Sequence, residues 1–137
     1  MSQVMDAELK LCTCVLYLWS RAVEETGADS CLTRPEIHTI FHELAADLDG
    51  LGVIVLFDTG PGYPFSLQLE RALIESMPYG IEAHPKACLF SYLLTLRRAK
   101  THLRVLKPEI SAQDHAVLET LVPKLVNLLS TPASSAA

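Results

Sequence analysis

Hydrophobic and polar residues follow a helical period over most of this chain. Residues 4–26 carry apolar side chains at alternating four- and three-residue spacings, which places them on one face of a helix. Gly27 follows this pattern and is expected to end the helix as a left-handed cap. A second helix is indicated after Thr33, because Thr33 and Glu36 have the spacing of a capping box. Further helical patterns cover residues 85–107 and the stretch that follows Ser111. The pattern therefore predicts a mainly α fold.

One stretch near the middle interrupts the helical pattern. Val53 to Phe57 is a run of five apolar residues between glycine pairs, which is typical of a buried strand. Residues 65–70 then alternate between apolar and polar, which fits either a second strand or the beginning of a helix. We expect a compact bundle of four to five helices with a short central strand or β-hairpin, and an α+β fold is the minority alternative.

The length of the chain fits one core, and no linker divides it. We expect a single helical domain over residues 1–130 and a disordered tail over residues 131–137, since the tail has nothing to bury. Pro123 falls inside the last helical pattern and predicts a kink or a split there, because its ring displaces a backbone hydrogen bond.

Apolar content is high for a chain that folds alone: half of the residues are hydrophobic and the mean hydropathy is +0.26. In the first helix, Leu11, Val15, Leu18 and Trp19 carry more apolar surface than one helix face needs. The sequence therefore predicts that these residues bind a protein partner or form a homodimer.

The sequence also favours a cytoplasmic location. No apolar run approaches the roughly 18 residues of a membrane span, and acidic residues precede the apolar stretch of the first helix. The four cysteines are scattered, as expected of buried thiols in a reducing compartment. We expect no membrane association.

The net charge is −5, but acidic and basic residues are distributed unevenly along the chain. No carboxylate lies between Glu82 and Glu109, whereas residues 97–107 carry a cluster of cations that includes Arg97, Arg98 and Arg104. This helix is expected to bind carboxylates of a protein partner. Nucleic-acid binding through residues 97–107 is a further alternative, but an acidic chain with a pI near 5.4 repels polyanions.

Metal binding is the main alternative to protein binding. His38, His42 and Asp49 fall on one flank of the second helix, and His-x-x-x-His is a spacing that zinc sites use. A zinc site needs a third protein ligand and the H-E-x-x-H motif is absent, so we expect a solvated polar face and no cofactor. A helical metal-binding enzyme or sensor that uses His38 and His42 stays open as an alternative.

Catalytic motifs are nearly lacking. Phe57-Asp58-Thr59-Gly60 spells the tetrapeptide of aspartic proteases, but that chemistry needs a second carboxylate on a β framework. We expect Asp58 to cap its own turn instead. The sequence thus predicts a small acidic, non-catalytic interaction module, such as a regulator, an inhibitor or a secretion-chaperone-like adaptor.

Overall fold

The longest element is the first helix, α1, which spans Ser2–Thr26. It ends where Gly27 adopts a φ of 70° and its N–H bonds the carbonyl of Val23 at 2.9 Å. A positive φ suits glycine, so the predicted left-handed cap is confirmed. The computed structural model describes the backbone of residues 2–60, 62–76, 82–86 and 89–130, and the side chains of residues 9–60, 62–76 and 91–129.

The second helix, α2, spans Arg34–Asp49 and begins at the predicted capping box. The Thr33 hydroxyl accepts from the N–H of Glu36 at 3.3 Å, and the Glu36 carboxylate accepts from the N–H of Thr33 at 2.8 Å. The two backbone donors at the start of the helix are thereby satisfied by side chains.

Residues 53–57 belong to no sheet, so the predicted strand at Val53–Phe57 is wrong in place. Buried or half-buried side chains alternate with exposed ones along the segment, which is the period of an extended chain. The segment is followed by a single β-bridge, in which Asp58 and Phe65 exchange backbone hydrogen bonds of 2.8 and 3.0 Å. A helix, α3 (Leu67–Ser76), begins immediately afterwards, so the helical alternative for residues 65–70 holds.

The sheet lies elsewhere in the chain. Its strands are β1 (Ser30–Thr33), β2 (Glu82–Lys86) and β3 (Leu89–Leu94), all antiparallel in the order β1-β3-β2. The single helix predicted over residues 85–107 is therefore wrong in its first part. The helix there, α4, spans only Leu96–Leu106.

Two features explain why β3 ends and α4 begins where they do. Tyr92 and Leu94 are both fully buried, which is the period of two that a strand requires. Thr95 then caps α4 by accepting from the N–H of Arg98 at 3.2 Å, and Asp29 accepts from the N–H of Leu96 at 2.8 Å. The leucines of residues 89–106 thus belong first to the strand β3 and then to the helix α4.

The last helix, α5, spans Ala112–Ser130 after a short 3-10 turn at Lys107–Glu109. Ser111 caps it by accepting from the N–H of Asp114 at 3.1 Å. The helix runs through Pro123 without splitting there, and buried residues on both sides of the proline pack into the same core. The predicted tail, 131–137, lies outside the described residues.

The core forms around α1, which contacts α3, α4, α5 and β3. The largest fully buried side chains include Trp19, Tyr17, Tyr92 and Phe41. Within the described residues the chain has five α-helices and a small antiparallel sheet. The predicted class, a mainly α compact fold with a β-hairpin, is confirmed.

Candidate functional site

A cluster of polar side chains is buried where α2, α3 and β3 meet. His38 is fully buried, and its Nε2 lies 2.9 Å from Oε1 of Glu70. The other oxygen of Glu70 accepts from the Tyr92 hydroxyl and pairs with the Arg34 guanidinium at 3.0 Å. The N–H of Ser66 donates to Nδ1 of His38 at 3.1 Å.

Burial alone raises the pKa of the Glu70 carboxyl, but the opposing effects are stronger. Hydrogen bonds from His38 and Tyr92 and the charge of Arg34 hold the pKa of Glu70 below its ordinary value. The pKa of Tyr92 is raised by burial and by its hydrogen bond to Glu70. The cluster therefore contains a charged carboxylate whose neighbours stabilise the charge.

This cluster bears directly on the metal candidates. Both ring nitrogens of His38 are engaged in hydrogen bonds, whereas His42 and Asp49 are exposed to solvent. The three residues therefore do not share the solvated face that the sequence predicted. Over the described residues, no group of three or more His, Cys, Asp or Glu side chains is arranged to hold a metal ion.

Glu70, Tyr92 and Arg34 were not among the sequence-based candidates. They come from three elements that are far apart in the sequence, so no local spacing connects them. A weak signal exists at His38, which lies next to Ile37 and three residues before Phe41, at the border of the apolar face of α2. A polar residue at such a border requires a buried partner.

A second polar cluster joins α1 to α5. Arg21 binds Glu119 with two hydrogen bonds, of 2.9 Å from Nε and 3.0 Å from an Nη, and the Tyr17 hydroxyl donates to the same carboxylate. The hydrogen bonds from Arg21 lower the pKa of Glu119 to about 2, although burial opposes them. Because Arg21 and Tyr17 both bind it, the Glu119 carboxylate stays charged and stabilises the fold; it does not serve to transfer protons.

The partner surface predicted on α1 is not on the surface of the chain. Leu11, Val15, Leu18 and Trp19 are all 5% exposed or less, because the helices around α1 cover it on several sides. Trp19 also donates from its indole N–H to the hydroxyl of Ser30 at 3.0 Å. These four residues pack the core of this chain, and the prediction underestimated how much of α1 one chain can cover.

The predicted basic residues, in contrast, are exposed. Arg97, Lys100 and Arg104 follow each other at i, i+3 and i+7 on α4, opposite the buried Ala99 and Leu103. We call the exposed cations of this region the basic ridge; they are Arg97, Arg98, Lys100, Arg104 and Lys107. None of them forms an ion pair with any residue that the structure describes.

An apolar groove of about 420 Å³ adjoins the ridge, between α1, α3 and α4. Its apolar lining includes Leu9 and Val105, which are 65% and 63% exposed. Glu75, Glu109 and His102 also line the groove, whereas no described lysine or arginine does. A groove of this size can receive side chains of a partner or a small molecule.

Asp58 lies in the turn between residues 57 and 65. Its Oδ1 accepts a hydrogen bond from the N–H of Gly60 at 3.1 Å, as the sequence predicted for a carboxylate that caps its own turn.

No protein-family model matches this chain, and no curated protein or solved structure matches it either. Over the described residues, none of the helices combines the length and the apolar character that crossing a bilayer requires.

Proposed function

We propose that this chain is a non-catalytic protein-interaction module, a regulator, inhibitor or chaperone-like adaptor that docks onto an acidic protein partner. The observation that carries the proposal is the basic ridge, whose cations are exposed and unpaired within the described residues although the chain as a whole has a net charge of −5.

The other cations behave differently. Lys10 pairs with Asp114 at 3.2 Å, Lys124 pairs with Asp47 at 2.9 Å, and Arg21 binds Glu119 through two nitrogens. Since carboxylates outnumber cations in this chain, unpaired cations gathered on one helix are available to an outside partner.

Carboxylates fit the ridge better than phosphates do. The net negative charge repels a nucleic acid, with its dense row of phosphates, more strongly at long range than a peptide with a few carboxylates. At physiological salt the ridge acts on either ligand within a Debye length of about 8 Å. The apolar groove beside the ridge suits an amphipathic helix that places apolar side chains between Leu9 and Val105 and carboxylates against Arg97 and Arg104.

The alternative of a metal-binding enzyme or sensor has less support. His38 is fully buried with both ring nitrogens engaged, and Glu119 is held by Arg21 and Tyr17. These groups satisfy one another inside the fold, which is typical of polar networks that stabilise a core.

As the sequence indicates, we expect the module to act in the cytoplasm, where exposed thiols such as that of Cys31 stay reduced. Its partners under this proposal are an acidic protein and a second copy of the chain, without nucleic acid or membrane.

The test is a binding titration with a labelled acidic amphipathic peptide, a DNA duplex and an RNA hairpin, at about 50 and about 200 mM salt. We expect the peptide to bind, and the variant Arg97→Glu/Arg104→Glu to weaken this binding about tenfold or more. Nucleic-acid binding that is micromolar, steeply salt-dependent and lost in the variant contradicts the proposal.

A matched control separates the ridge from the net charge. The variant Thr39→Glu/Ala46→Glu/Gln113→Glu/Ala116→Glu changes the net charge by the same −4 at exposed positions away from α4. We expect it to bind the peptide nearly as well as the wild type. Equal loss in both variants indicates a general charge effect and no specific docking at the ridge.

A further inference from the structure

The extended segment 53–57 has one closed edge and one open edge. On the closed edge, the side-chain amide of Gln68 accepts from the N–H of Leu56 at 2.6 Å and donates to the carbonyl of Ile54 at 3.0 Å. The Asp58–Phe65 bridge continues the same edge. One side chain thus takes the position that a neighbouring strand otherwise occupies.

The open edge belongs to the odd-numbered residues, because backbone groups point to alternate sides along an extended chain. The N–H of Val53 is taken by the carbonyl of Leu48 at 3.0 Å. The groups left on this edge are the carbonyl of Val53 and the N–H and carbonyl of both Val55 and Phe57, none with a partner within the described residues. Unpaired backbone groups are rarely buried, so this edge faces water.

The side chains beside the open edge are apolar. Ile54 and Leu56 are 61% and 71% exposed, whereas Val53 is buried and Val55 and Phe57 are half-buried. No charged residue lies between Asp49 and Asp58. An uncharged apolar edge with free backbone groups is the surface on which strands associate.

We propose that two copies of this chain associate through their open edges, antiparallel, with the two-fold axis at Val55. The free groups are their own complement in this arrangement. Each Val55 N–H donates to the Val55 carbonyl of the other copy, and each Phe57 N–H donates to the Val53 carbonyl of the other copy. The pairing thus satisfies every unpaired group of the edge except the carbonyl of Phe57, whose donor in this register, the N–H of Val53, is held by Leu48.

The side chains select this register. With the axis at Val55, Ile54 of one copy lies opposite Leu56 of the other, so both exposed apolar side chains gain apolar neighbours. Registers shifted toward the carboxyl end place Asp58 opposite Ile54 or Leu56. Registers shifted toward the amino end bring Val53 into the pairs next to the two-fold axis, where its N–H is missing because Leu48 already holds it. With the axis at Val55 this loss falls only on the outer pairs.

The interface is short, so we expect a dissociation constant in the micromolar range or weaker. Sedimentation equilibrium over a concentration series tests this. Ile54→Lys places a cation in each cross-strand pair and is expected to raise the dissociation constant about tenfold or more. Ile74→Lys makes the same substitution at a residue that is 50% exposed on α3 and should leave the dimer unchanged.

Cross-linking tests the register itself. An Ile54→Cys variant mixed with a Leu56→Cys variant should form an intermolecular disulfide, since directly opposite Cβ atoms lie about 4.5–5.5 Å apart. Each variant alone should cross-link no more than the wild type. A chain that stays monomeric up to millimolar concentration overturns the proposal, as do equal effects of Ile54→Lys and Ile74→Lys. Arg97→Glu/Arg104→Glu should leave the dimer intact, so docking at the ridge and pairing at the edge are tested separately.

Discussion

The imidazole of His38 donates from Nε2 to Oε1 of Glu70 across 2.9 Å, and its orientation is fixed from the other side. Because the N–H of Ser66 donates to Nδ1, that nitrogen carries no proton, and the ring is the neutral tautomer protonated at Nε2. The ring also stacks on Phe65 with centroids 4.6 Å apart. His38 thereby ties α2 to the segment that leads into α3.

Glu70→Gln should destabilise the fold. The substitution removes the charge that faces Arg34 and presents an amide N–H₂ to buried donors, so we expect the free energy of unfolding to fall by about 2 kcal/mol. Urea unfolding measures the change. Glu43→Gln makes the same substitution at an exposed position and should change the free energy little; equal losses at both positions contradict the role of the cluster.

Acid should weaken the contact between α1 and α5. The pKa of Glu119 is about 2 in the folded chain against an ordinary value of 4.5, so the unfolded chain binds more protons as the pH falls. The stability from this group is therefore present above about pH 5 and is lost as the pH falls toward 2. Urea midpoints between pH 6 and pH 3 should fall less in Glu119→Gln than in the wild type, whereas Glu43→Gln should follow the wild type.

Leu18→Ala should cost far more stability than Leu9→Ala. Both residues lie on α1, but Leu18 is fully buried whereas Leu9 is 65% exposed. Loss of a buried leucine side chain leaves a cavity and lowers the free energy of unfolding by about 2–5 kcal/mol. Thermal or urea unfolding of the two variants measures the difference. Similar small losses at both sites indicate that α1 is exposed in solution.

The cysteines should differ sharply in reactivity. Burial raises the pKa of the Cys14 thiol to about 11, and its side chain is nearly inaccessible, whereas Cys31 is exposed. Alkylation at pH 8 followed by peptide mass spectrometry should modify Cys31 early and Cys14 only when the chain is unfolded. Equal rates at the two residues indicate that the core around Cys14 opens readily.

The sequence predicts α1, α2 and α5 because their signals are local. The capping box of Thr33 and Glu36 begins α2, and the left-handed Gly27 ends α1. Each acts within one turn of its helix, so the positions of these residues in the sequence are enough to identify them. The hairpin of β2 and β3 depends on pairing with β1, some 60 residues earlier in the chain, as in the register Cys31–Leu93. The leucines of β3 and α4 together follow a helical period, so the sequence pattern does not indicate that β3 pairs with other strands.

The same reasoning explains the site predictions. The basic ridge is visible in the sequence because exposure and charge both follow from the face of one helix. Leu11, Val15 and Trp19 are buried because several other elements pack around α1. The apolar pattern of α1 alone does not indicate how many elements of the same chain will cover it. His38 and Glu70 are 32 residues apart, so their contact is a property of the tertiary structure.

The amide of Gln68 sets a limit on the size of any assembly built on residues 53–57. A strand with two free edges can add copies on both sides and grow into a fibre. Here the carbonyl of Ile54 and the N–H of Leu56 are already bonded, so each copy offers a single edge. Pairing about a two-fold axis uses that edge in both copies, and growth stops at two. Gln68→Ala exposes the second edge, and this single substitution should convert a closed pair into a chain that polymerises.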